Sequence, residues 1–72
     1  MIVRLKDTNG PIETTLTADG TTNVVRVESH GVTVSKRFAP SEDAASRLYC
    51  RTVLAIATTD GKRTLREVLG AL

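Results

Sequence analysis

A serine or cysteine nucleophile would have His30 as its one histidine base, Cys50 is the single thiol, and Glu42 with Asp43 is the one adjacent pair of carboxylates. A thiol mechanism needs a thiolate held beside a base, and His30 is the only histidine that could act as one. It lies in a Ser-His-Gly segment between two extended runs, whereas Cys50 lies within a helical pattern. Nothing in the spacing brings them together. Glu42 and Asp43 directly follow Ser41, where acidic side chains complement the free amides of a helix start, so a structural role explains them. One Cys and one His fall short of the four ligands of a structural zinc site. The eight acidic residues are dispersed without calcium-loop spacing, and the glycines match no phosphate-binding loop. The expectation is a non-enzymatic protein with no catalytic residue, metal or cofactor.

The remaining candidates are cations. Ten Lys and Arg face eight Asp and Glu, for a formal net charge of +2, and seven of the ten are Arg, whose planar fork suits phosphate and carboxylate. If the hairpin of residues 24–38 packs on the helix after it, Arg26, Lys36, Arg37, Arg47 and Arg51 converge around the strand-to-helix junction. Such a patch would neutralise the phosphates of DNA or RNA, with Thr33, Ser35 and helix amides adding contacts. An acidic protein patch or a nucleoprotein complex would be met by the same charges. His30 at a loop tip and Tyr49 on the helix are possible interface residues. The plain alternative is solvated surface.

The elements that must position these residues follow from pattern. "IVRLK" has the β-branched, alternating character of an edge strand, and "DTNGP" supplies a turn. "IETTLTA" resumes extended character up to a turn at "DGTTN". Residues 24–28 and 32–38 form a hairpin across "SHG", with Val25 and Val27 facing away from Val24, Arg26 and Glu28. In the second strand Val32, Val34, Lys36 and Phe38 share one parity, so a buried even face would oblige Lys36 to snorkel or to mark an edge. Ser41 caps a helix in which Ala44, Ala45, Leu48 and Tyr49 make an apolar stripe. Residues 52–58 fit either a continuation of that helix, adding Thr52, Val53 and Ile56, or a strand. Thr64 and Glu67 are spaced as a capping box ahead of Leu65, Val68, Leu69 and Leu72, which favours a terminal helix over a strand "KRTLREV" joined through Asp60-Gly61.

"VVRVESHGVTVSKRFAPSEDAASRLY" resembles the hairpin-to-helix section of the sheet-type DNA-binding domains attached to phage integrases, over residues 24–49. The resemblance implies that Arg26, Lys36 and Arg37 face DNA while Phe38, Ala45, Leu48 and Tyr49 stabilise the domain. These 72 residues hold no recombinase catalytic domain, a departure from the integrases that leaves open a stand-alone accessory protein. The chain is also similar, in size and mixed fold, to small phage or mobile-element proteins that inhibit bacterial immune complexes. That likeness implies an inhibitor or adaptor using Arg37, Arg47 and Arg51.

At 72 residues the chain holds one small α+β domain: three or four antiparallel strands packed against a central helix, with a short C-terminal helix. Its core must be mostly aliphatic, because there is one Phe, one Tyr and no Trp. A homodimer, including a homo-oligomeric structural role, would relieve that shortage by burying a further apolar face. A single Cys suits a reducing, cytoplasmic setting, "MIVRLKD" does not have the make-up of a signal peptide, and no apolar run approaches the about 20 residues that span a membrane.

Overall fold

The computed structural model describes residues 2–59 and 63–72. Four strands run in chain order, β1 (Ile2–Asn9), β2 (Ile12–Asp19), β3 (Thr22–Ser29) and β4 (Val32–Ala39), followed by helices α1 (Glu42–Thr58) and α2 (Leu65–Gly70). Each strand pairs antiparallel with its chain neighbour, so the sheet order is β1-β2-β3-β4 and the outer strands are its edges. The expected sheet against a central helix, with a short C-terminal helix, is observed with four strands.

Two-residue links close each hairpin, which is why Gly, Pro and His punctuate the strands at such regular spacing. In the β3–β4 link both residues have positive φ, 53° at His30 and 79° at Gly31, the combination of a type I′ turn whose twist suits the strands on either side. The His30 amide donates to the Pro11 carbonyl at 3.2 Å and ties this turn to the β1–β2 turn beside it.

Both edge strands carry one residue more than their partners require. In β1 the extra residue is Arg4, between Val3 opposite Thr17 and Leu5 opposite Leu16. In β4 it is Val34, between Thr33 opposite Glu28 and Ser35 opposite Val27. A bulge leaves its extra residue unpaired and breaks the inside–outside alternation at that point. The expectation that Val32, Val34, Lys36 and Phe38 share one face therefore fails. Val34 packs with Val27, Ile56 and Leu69 under the helices, whereas Phe38 is 66% exposed on the opposite face.

Helix α1 begins as its sequence dictates, with the Ala44 amide donating to Ser41 Oγ at 3.1 Å and Glu42 and Asp43 in the first turn. Ala45, Leu48, Tyr49, Thr52 and Ile56 recur at helical spacing and are its buried residues. The first three meet Leu16 of β2 and Val25 of β3, and Ile56 meets Val27. The ambiguous stretch 52–58 is helical. Its β-branched threonines are accommodated because the Thr52 and Thr58 hydroxyls donate to the carbonyls of Leu48 and Leu54, at 2.7 and 2.8 Å. The alternative strand over residues 62–68 is replaced by α2 from Leu65 onward, and its first residue, with the Asp60-Gly61 turn, lies outside the described residues. Thr64 caps α2 by accepting from the Glu67 amide at 3.2 Å, while Val68 and Leu69 enter the core and Leu65 and Leu72 pack against it. Among the described residues no helix is long and apolar enough to cross a membrane.

Candidate binding surface

The helices lie on one side of the sheet, reached by Leu16, Val25 and Val27, so among the described residues no helix covers the other side. Strand pairing arranges that side in rows running across the strands. Val3, Thr17, Val24 and Phe38 align as a largely apolar row. The next row is Lys6, Thr15, Arg26 and Lys36, and beyond it stand Thr8, Glu13, Glu28 and Thr33. The order apolar, basic, acidic follows from register alone.

Charges on this face are largely compensated within it. Lys6 Nζ lies 3.5 Å from Glu13 Oε1, and Arg26 Nη1 donates to Glu28 Oε1 at 3.2 Å. Arg26 Nε is buried without a hydrogen-bond partner, so this central guanidinium is held by one side only. Lys36 Nζ sits 5.4 Å from the centroid of the Phe38 ring, a cation–π distance. Phe38, at 66%, and Val3, at 57%, are the large apolar side chains most exposed here.

The five cations expected to converge divide into three places. Arg26 and Lys36 are register partners on the uncovered face. Arg37, one residue further along, points to the helix side, where its Nη1 donates to the Leu72 carbonyl at 3.3 Å and fastens the segment after α2 to β4. Arg47 and Arg51 lie on the solvent side of α1, with Ala44 and Cys50, along a shallow depression. Arg47 is paired with Asp43 at 2.8 Å. The expectation of one patch at the strand-to-helix junction is thus corrected: alternation along β4 separates Arg37 from Lys36, and α1 presents its arginines away from the sheet it covers.

Of the interface candidates, His30 is exposed at its hairpin tip, whereas Tyr49 packs in the core with Leu16, Val25, Ala45 and Leu48. Burial, and after it the Asp7 carboxylate and Cys50, raise the Tyr49 hydroxyl above its ordinary pKa. Ala45, Leu48 and Tyr49 have the stabilising role expected of them, and Phe38 does not. Cys50 is exposed on α1, and among the described residues no group of three or more His, Cys, Asp and Glu comes together. Two cations missed by sequence reasoning have clear places: Lys6 in the basic row, and Arg4, which the bulge turns toward the start of α1 to pair with Glu42. Alternation along "IVRLK" would put Lys6 on the side of Ile2, and the bulge at Arg4 moves it to the side of Val3; the Arg4 contact joins distant segments and left no local signal.

Comparisons with protein-family models, curated proteins and solved structures returned no match.

Proposed function

We propose that this protein is a non-enzymatic binding module, that its working surface is the uncovered side of the sheet, and that its partner is a protein. The observation that carries this reading is the banding of that face: an apolar row with Phe38 and Val3 exposed, beside basic and acidic rows that compensate one another. A polyanion is held by uncompensated positive charge. A protein surface is matched by mixed charge around an exposed aromatic anchor. An adaptor or inhibitor role fits this chemistry.

A second reading, an accessory protein that binds nucleic acid, draws on the alignment of Lys6, Arg26 and Lys36 in one row next to an exposed ring. Bases stack on such rings while cations follow the backbone. Titration against single- and double-stranded DNA and RNA across a salt series separates the two. Saturable binding that falls steeply with salt and is lost in K36Q would replace the protein reading with this one. Partner capture with wild-type, F38A and L54A baits is the positive test, since Leu54 is exposed on the solvent side of α1. A protein retained by wild type and L54A but lost by F38A supports the proposal; equal retention by all three overturns it.

A further inference from the structure

The pattern on the uncovered face also bears on which protein it fits, and this step rests on the reading of that face as the binding surface. We infer that the face is self-complementary and that its partner is a second copy of this chain, stacked sheet on sheet about a two-fold axis lying along the row Val3, Thr17, Val24 and Phe38.

Sheet stacking is favoured over sheet extension because both edges are blunted. β1 and β4 each carry a bulge, at Arg4 and Val34, and each carries a lysine, Lys6 and Lys36. Bulges and edge lysines are devices that prevent strand-to-strand addition. A copy seeking the exposed Val3 and Phe38 must therefore approach through the face.

When the strands of the two copies are kept aligned, two directions of axis allow face-to-face stacking, and charge selects between them. With the axis parallel to the strands, β1 lies over the partner's β4 and β2 over its β3. Lys6 then meets a second Lys36, and Glu13 meets a second Glu28. Like charges opposed in this way disfavour the arrangement. With the axis along the apolar row, each strand lies over its own copy, and Val3, Thr17, Val24 and Phe38 meet their equivalents. The next positions on this side of the sheet toward the β2–β3 turn are Asp19 and Thr22. They come to lie over the partner's basic row, with Asp19 opposite Thr15 and flanked by Lys6 and Arg26. Asp19 is exposed and has its carboxylate at the end of β2, while the acidic row falls beyond the partner's hairpin and does not oppose itself. One axis thus places apolar on apolar and acid among bases.

Strand spacing of about 4.8 Å and a rise of about 3.3 Å per residue make the overlapping patch roughly 20 Å on a side. Two such faces bury about 800 Å² in total, below the about 1,200 Å² of standard specific interfaces, so the association is weak, transient and concentration-dependent.

Sedimentation velocity of the full chain over a concentration series tests the inference, with F38A, D19K and L54A as variants. All three positions are exposed, which keeps folding separate from association. The expected result is a monomer–dimer equilibrium in wild type and L54A, weakened about tenfold or more by F38A and by D19K. A chain that stays monomeric up to millimolar concentration overturns the second copy as partner, while F38A-sensitive capture of another protein would leave the binding-face proposal standing. Dimerisation sensitive to L54A but not to F38A or D19K overturns the inference by moving the contact to the helix.

Discussion

Leu16 and Phe38 belong to the same sheet, yet Leu16 is 2% exposed and Phe38 66%. The difference arises from cover and not from strand chemistry. Helix α1, joined by α2 at Val27, packs on the sheet and buries the inward residues of β2 and β3, while the reverse side meets no helix and is most exposed on its edge strands, at Val3 and Phe38. Cover is incomplete even on the helix side, since Ile2 and Leu5 of β1 share that side and remain exposed. Hydrophobicity therefore marks the core on one side of this sheet and marks a contact surface on the other.

The sharpest way to break this comparison is to truncate one residue on each side. L16A should cost about 3 kcal/mol, because it opens a cavity in a filled core, and urea unfolding will show it as a large fall in midpoint. Equal midpoints for L16A and wild type would mean that α1 does not cover β2 as described. A smaller change of opposite sign is expected at the turn between the two strands that divide the cations. His30 has φ of 53°, a region asparagine enters more readily, so H30N should stabilise by about 0.5–1 kcal/mol in the same assay.

Tyr49 offers a probe of the covered side that acts only in alkali. Its folded pKa lies above the unfolded value near 10, so the unfolded chain loses its proton first as pH rises. Stability from this group is complete below about pH 9, declines as pH climbs through the folded pKa, and the decline should vanish in Y49F. The smallest effect is expected on the uncovered side, where F38A should change unfolding by no more than about 0.5 kcal/mol. A penalty as large as that of L16A would show that Phe38 is covered in solution.

The hairpins were legible because Gly10, Gly20 and Gly31 fall between extended runs, and α1 because Ser41 and the Ala45, Leu48, Tyr49 stripe carry helix signals. Residues 52–58 were not, since threonine and isoleucine suit strands equally until the hydroxyls of Thr52 and Thr58 find carbonyls one turn back. The candidate site was legible least. Arg26 and Lys36 can be matched across one hairpin, but the row they share with Lys6 spans the whole sheet. Phe38 received a stabilising role from the resemblance and a shared parity with Val34 from alternation, and a bulge at Val34, created by pairing with β3 and not by local preference, separates the two onto opposite sides.

The unbroken neighbour-to-neighbour order of the strands also governs how quickly the molecule assembles. No strand waits for a distant segment, because each closure spans only a two-residue link, and single hairpins of this kind form in about 1–10 μs. Only the docking of α1 and α2 on the meander joins chain segments far apart, so the refolding rate should resemble that of fast, locally connected domains more than that of sandwiches of equal strand content.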